Sequence, residues 1–257
     1  MTRLISGVAL AAAALAAILF LPVSALRLAA CAVAAFAAHE YVRVAGAPRG
    51  VSQWLVVAAV VAVCWIISSG LELDAAMLGI AALAWVVFEV LFLGRTIHEA
   101  AVATIAPVYI GIPLGMLVAI QVIGGWQATL LLIFTIVVSD SGQYYSGRTF
   151  GRRPLAPSIS PKKTIEGAIG GVLIGATFMV TAGRILFPAN PIEDWIVVGL
   201  VVVLLGICGD LFESRLKRTA GLKDSSSLIP GHGGILDRID ALLFAVPAFY
   251  LYLRASA

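Results

Sequence analysis

Three aspartates, Asp224, Asp237 and Asp240, occur in the stretch KDSSSLIPGHGGILDRID, residues 223–240, with Lys223, His232, Arg238 and three glycines. The flanking segments are apolar, and charge near a bilayer is costly unless it is compensated. Asp237 and Asp240 stand three apart where a helix is expected, so they share a face. Asp224 lies across a loop carrying Pro230 and Gly231, and the Gly-His-Gly-Gly run lets backbone approach a ligand closely. Three carboxylates brought together repel one another. A divalent cation removes that repulsion, and carboxylate-plus-water ligation suits Mg²⁺ completed by substrate phosphates. The other reading is an ion-pair network in which Lys223, Arg218 and Arg238 neutralise the aspartates. His232 could be a ligand, a phosphate donor or a turn residue. His39 and His98 lie far off without HxxxH spacing, so zinc is not indicated.

A second group lies in SPKKTIEG, residues 160–167. Ser160 followed by Pro161 predicts a helix start, with serine as cap and proline at the first helical position. Lys162 and Lys163 would then oppose the helix dipole unless an anion sits there, held by backbone N–H groups and both ammonium groups. The alternative is a basic loop that orients the protein and touches anionic lipid. Asp140 either pairs with an arginine or helps hold a metal or ligand. Asp210, Glu213, Ser214 and Lys217 share one helix face. They form either the pairs Asp210–Ser214 and Glu213–Lys217 or the wall of a cavity. Tyr144 and Tyr145 fit an interfacial belt. Gly142, Gly147 and Gly151 are expected in turns, and Gly167, Gly170, Gly171 and Gly175 at close helix contacts. His39-Glu40 and His98-Glu99 read as solvated or ion-paired helix ends.

The elements that position these groups are membrane helices. Of 257 residues 61% are hydrophobic and 12% charged. A hydrocarbon core needs roughly 20 apolar residues per helix. The runs are continuous, not alternating, which excludes a barrel. The chain reads as an all-α polytopic membrane protein with nine spans: 4–21, 26–43, 52–69, 75–93, 102–123, 127–145, 165–187, 195–214 and 237–253. Pro107 and Pro113 kink the fifth. Residues 1–100 form an N-terminal helical part and 101–257 a catalytic part, with polar loops at 146–164 and 215–236. Cys31, Cys64 and Cys208 are scattered and form no CxxC, so neither a zinc site nor a disulfide framework is indicated.

Charge sets the orientation. With the N-terminus inside, 14 of the 17 cations fall on the cytoplasmic side: Arg3, Arg43, Arg49, Arg95, Arg148, Arg152, Arg153, Lys162, Lys163, Arg215, Lys217, Arg218, Lys223 and Arg238. The acidic loops Glu72/Asp74 and Glu193/Asp194 fall outside. Arg3, an apolar run and VSA at 23–25 suggest a signal peptide, but the run exceeds an h-region, so an uncleaved helix is expected.

The segment SRLKRTAGLKDSSSLIPGHGGILDRID, 214–240, resembles the signature of phosphatidate cytidylyltransferases, also called CDP-diacylglycerol synthases. The family pattern is matched from Ser214 through Lys217-Arg218, Lys223-Asp224, Pro230 and His232-Gly233-Gly234 to Asp237-Arg238 and Asp240. The likeness extends over 140–167, where Ser141 and Gln143 depart from the usual Asp-Thr-Gly-Ala. The resemblance implies that phosphatidate and CTP give CDP-diacylglycerol and pyrophosphate. It also implies a Mg²⁺ requirement, a second monovalent cation such as K⁺, a homodimer, and a cavity open to cytoplasm and bilayer in the inner (cytoplasmic) membrane. On that implication Asp224, Asp237 and Asp240 hold the metal. Ser160, Lys162 and Lys163 hold the triphosphate, with His232 also at the substrate. Lys217, Arg218, Lys223 and Arg238 take the remaining charge. No nucleic-acid partner is expected. Two rivals stay open: a polyprenol kinase-like enzyme, and a transporter. The latter should concentrate polar groups near the midplane, whereas these gather at one face. The Asp-Gly-x-x-Ala-Arg pattern of CDP-alcohol phosphotransferases does not occur.

Overall fold

An apolar run that must satisfy its own backbone folds as a helix, and the chain does so along most of its length. In a computed structural model, residues 2–46, 51–71, 75–226, 228–229 and 233–256 are described. The helices are α1 (Thr2–Phe20), α2 (Val23–Val44), α3 (Val51–Ser68), α4 (Ala75–Leu91), α5 (Ile97–Ala106), α6 (Ile112–Phe150), α7 (Ile165–Leu186), α8 (Ile192–Thr219) and α9 (Leu236–Ser256). A hairpin of β1 (Pro154–Ala156) and β2 (Ser160–Thr164) joins α6 to α7.

Among the described residues, five segments are long and apolar enough to cross a membrane: Val23–Val44, Ile97–Phe150, Ile165–Leu186, Ile192–Thr219 and Leu236–Ser256. Shorter apolar helices cover Ser6–Phe20, Ser52–Ser68 and Gly79–Leu91. The protein is thus an all-α membrane protein apart from the hairpin. The 54-residue segment Ile97–Phe150 far exceeds the roughly 20 residues of one crossing. Its helix is interrupted at Gly125, whose φ of 68° suits glycine. Pro107 offers no N–H, so α5 ends at Ala106 and the chain passes through a π turn, Pro107–Gly111. At the start of α5, Thr96 and Glu99 form a reciprocal capping box, and Arg95 lies 4.0 Å from Glu99.

Two expectations are corrected. Ser160-Pro161 does not open a helix: Ser160–Thr164 is a strand, paired antiparallel with β1. The cap of α7 is Thr164, whose Oγ1 accepts from Gly167 N at 3.1 Å. Proline's fixed φ suits a strand edge as well as a helix start, and pairing with β1 decided between them. Lys162 and Lys163 therefore do not sit in a first helical turn. Gly142 and Gly147 are not turn residues either; they lie inside α6 and face α7. Arg49, Glu72, Asp74 and His232 lie outside the described residues.

The chain forms two compact units, and the division is not a single cut. Met1–Ala119 with Thr219–Arg238 make the first; Ile120–Arg218 with Ile239–Ala257 make the second. In the first unit, α2 buries Ala34, Ala37 and Ala38 completely. The π turn meets α3 so closely that a Cβ on Gly111 would stand 2.7 Å from Val60 O. In the second unit, α7 presents a glycine face to α6 and α8. A Cβ on Gly167 would stand 2.8 Å from Gln143 O, and one on Gly175 would stand 2.8 Å from both Ser139 Cβ and Val203 Cγ2. Small residues at these contacts let helix backbones approach. The cysteines are free, with Cys31 and Cys64 buried.

Candidate active site

The second unit holds a cleft of about 500 Å³ lined by polar and charged side chains: Asp140, Gln143, Tyr144 and Arg148 from α6, Ser160, Lys162, Lys163 and Thr164 from β2, and Asp210 from α8. The hairpin rather than a helix N-terminus delivers the two lysines. Lys162 is exposed, and Lys163 is ion-paired with Asp210. Asp140 accepts from Gln143 Nε2 at 2.9 Å, not from an arginine. Gln143, a departure from the family pattern, thus has a partner in the cleft. Arg148 donates to Tyr144 Oη at 3.3 Å, and both side chains face the cleft. Three cations and two carboxylates share the space. An entering polyphosphate meets donors with room to accept it, and the size is ordinary for a ligand site.

The polar face of α8 resolves as pairs. Ser214 Oγ donates to Asp210 Oδ1 at 3.3 Å, and Lys217 pairs with Glu213, whose side chain is fully buried. Asp210 does both tasks that the sequence offered as alternatives, since it also lines the cleft. Arg218 Nε donates to Ile159 O at 3.3 Å and ties the end of α8 to the hairpin. Asp240 belongs to this unit too, in the electrostatic field of Asp210, Lys217 and Asp140. Its Oδ1 accepts from Ala241 N at 2.8 Å.

The first unit holds the other half of the signature. Asp237 Oδ2 accepts from Ser225 N at 2.9 Å and Gly234 N at 2.8 Å, and Ser225 Oγ lies 2.7 Å from it. Ile229 N donates to Gly233 O at 2.9 Å. Gly233 has a φ of 80°, and a Cβ there would stand 2.6 Å from Asp237 Oδ2 and 3.6 Å from Asp224 Cβ. Asp224 and Asp237 therefore border the same bare stretch of backbone. Two carboxylates offer hard oxygen donors, which fit Mg²⁺ completed by water and phosphate. Among the described residues, no group of three or more His, Cys, Asp or Glu is gathered to hold a metal. Lys223, Asp224 and Arg238 are exposed.

One functional candidate escaped the sequence reading. Glu40 is not a solvated helix end: it is 4% exposed and hydrogen-bonds to Ser225, Ser226, Ile235 and Leu236. The signal was its place in an apolar helix, where a carboxylate requires donors. His39, its neighbour, has Gln53 Nε2 2.7 Å from Nδ1.

Known proteins are similar to this chain in sequence. A protein of Escherichia coli K12 carrying the name uncharacterized protein YnbB is 40% identical over 139 residues, 54% of this chain and 46% of its own. A phosphatidate cytidylyltransferase of Haemophilus influenzae is 47% identical over 129 residues, 48% of this chain and 45% of its own. A phosphatidate cytidylyltransferase of Bacillus subtilis is 36% identical over 160 residues, 62% of this chain and 60% of its own. The similarity spans about half the length of these curated relatives. The pattern of the cytidylyltransferase family, in contrast, runs over residues 1–256, and the chain belongs to that family.

Proposed function

We propose that the protein transfers the cytidylyl group of CTP to phosphatidate, giving CDP-diacylglycerol and pyrophosphate in phospholipid biosynthesis. The observation that carries this reading is the cleft in which Ser160, Lys162, Lys163 and Arg148 converge with Asp140 and Asp210. Phosphatidate cytidylyltransferases among the relatives favour the same chemistry.

A phosphate oxygen of phosphatidate attacks the α-phosphorus of CTP. The new P–O bond forms as the bond to the β-phosphate oxygen breaks, and pyrophosphate carries that electron pair away. Both reactants are anions, so the obstacle is charge, and positioning with electrostatics suffices without a covalent nucleophile. Ser160, Lys162 and Lys163 bind the triphosphate, with Asp210 holding Lys163 in the cleft until a phosphate competes for it. Lys217, Arg218, Lys223 and Arg238 supply the remaining positive charge. Asp224 and Asp237 would hold Mg²⁺; Asp240 enters on the sequence pattern alone. Bound there, Mg²⁺ would supply Lewis-acid neutralisation of phosphate charge. A neighbouring monovalent cation and a homodimeric assembly belong to the same proposal.

The reading extends to placement. Nine crossings with a cytoplasmic N-terminus put 14 of 17 cations, including the cleft lysines, on the cytoplasmic side of the inner membrane. The test is conversion by purified protein in detergent of CTP labelled at the α- or γ-phosphate. Lipid that acquires α-label only with phosphatidate and Mg²⁺ present supports the proposal. γ-Label in lipid indicates a kinase, and no label in lipid under any condition rejects both.

A further inference from the structure

Glu40 of α2 has no part in the chemistry above, yet hydrogen-bonding groups meet both of its carboxylate oxygens. Its Oε1 accepts from Ser226 Oγ at 2.6 Å and Ile235 N at 3.1 Å. Its Oε2 accepts from Leu236 N at 2.8 Å and Ser225 Oγ at 2.9 Å. All four donors come from one loop, 185 or more residues further along the chain. Burying a carboxylate is expensive unless its lone pairs are met, and here donors meet both oxygens. The Ile235 and Leu236 amides are among the donors that a helix leaves unsatisfied at its N-terminus, so Glu40 caps α9 from another helix.

The consequence reaches Asp237. Ser225 Oγ lies within hydrogen-bond distance of both Glu40 Oε2 and Asp237 Oδ2, at 2.9 and 2.7 Å. Gly234 N, one residue before the amides held by Glu40, donates to the same Asp237 oxygen. The loop conformation that satisfies Glu40 is therefore the one that orients Asp237. We propose that Glu40 is a positioning residue for the cytidylyl transfer: through Ser225 and the Ile235 and Leu236 amides, it holds the loop in the form that presents Asp224 and Asp237 to a divalent cation. This rests on the reaction proposed above.

Glu40→Gln preserves size and exposes the role. Its NH₂ group must face either the Ile235 or the Leu236 N–H, and a backbone donor cannot reverse as a serine hydroxyl can. The experiment uses full-length protein in detergent, with Mn²⁺ as the metal probe. In Glu40→Gln the Ile235 and Leu236 amides exchange hydrogen about tenfold faster or more, Mn²⁺ binds about tenfold more weakly by electron paramagnetic resonance, and kcat falls about tenfold while the KM for CTP stays within about threefold, as for loss of an outer-shell contact. Ser226→Ala, which keeps both backbone bonds, falls between wild type and Glu40→Gln in each readout. Wild-type exchange at those amides, or unaltered Mn²⁺ binding and kcat, overturns the proposal. So does loss of protection along all of α9 with a lowered melting point, which would mark a merely structural role. Wild-type protein without turnover sinks the reaction and this role with it; normal wild-type turnover with an unaltered Glu40→Gln sinks the positioning alone.

Discussion

Lys163 of the hairpin and Asp210 of α8 form an ion pair on the wall of the cleft. The pair brings together two segments 47 residues apart in sequence. It holds an ammonium group where a phosphate is expected, and a bound polyphosphate must share or displace the aspartate.

The paired substitution Lys162→Ala/Lys163→Ala is expected to raise the KM for CTP by about tenfold or more, the scale of lost hydrogen bonds to charged groups. The KM for phosphatidate should move much less. Steady-state kinetics with each substrate varied checks this, and an unaltered KM for CTP removes the lysines from the nucleotide site.

Asp237→Asn should cost at least about a hundredfold in turnover while the protein still inserts and melts as wild type, because several kcal/mol of charge stabilisation depend on the carboxylate. The asparagine oxygen can still accept from Ser225 N and Gly234 N, so the loop is kept while its charge is lost. Turnover and thermal midpoint measured on one preparation separate the two effects.

Glu213 and Lys217 form a pair whose side chains are 0% and 12% exposed. Glu213→Ala leaves a largely buried ammonium without this partner and should destabilise by about 3 kcal/mol or more. The double change Glu213→Leu/Lys217→Met should lie closer to wild type in thermal midpoint. Equal losses in the single and double variants would show that the pair is not coupled.

Gly175→Ala puts a methyl group 2.8 Å from Ser139 Cβ and Val203 Cγ2. Overpacking of this kind costs about 1–3 kcal/mol, read as a lower melting point. Gly79→Ala in α4 is the control, since a Cβ there meets nothing within 4 Å.

Much of the helical frame was legible in the sequence. The expected span 165–187 became Ile165–Leu186, and 237–253 became Leu236–Ser256. Helical spacing offered the Glu213–Lys217 and Asp210–Ser214 pairs as one of two readings, and both pairs form. The start of α7 was misplaced because Ser160-Pro161 and Thr164 both offer plausible starts. Only β1, several residues upstream, pulls the first pair into a strand. Gly142 and Gly147 were misread because a glycine that admits a turn also admits a neighbouring helix.

By itself the sequence determined the helical membrane class, the segments that become helices and the aspartate signature. These follow from local hydrogen bonding, from apolar run length and from residue order. Tertiary structure alone decided that β2 carries Lys162 and Lys163 into the cleft and that Glu40 braces the loop leading to Asp237. A buried carboxylate's cost depends on which donors reach it, and Glu40's donors lie 185 or more residues away along the chain.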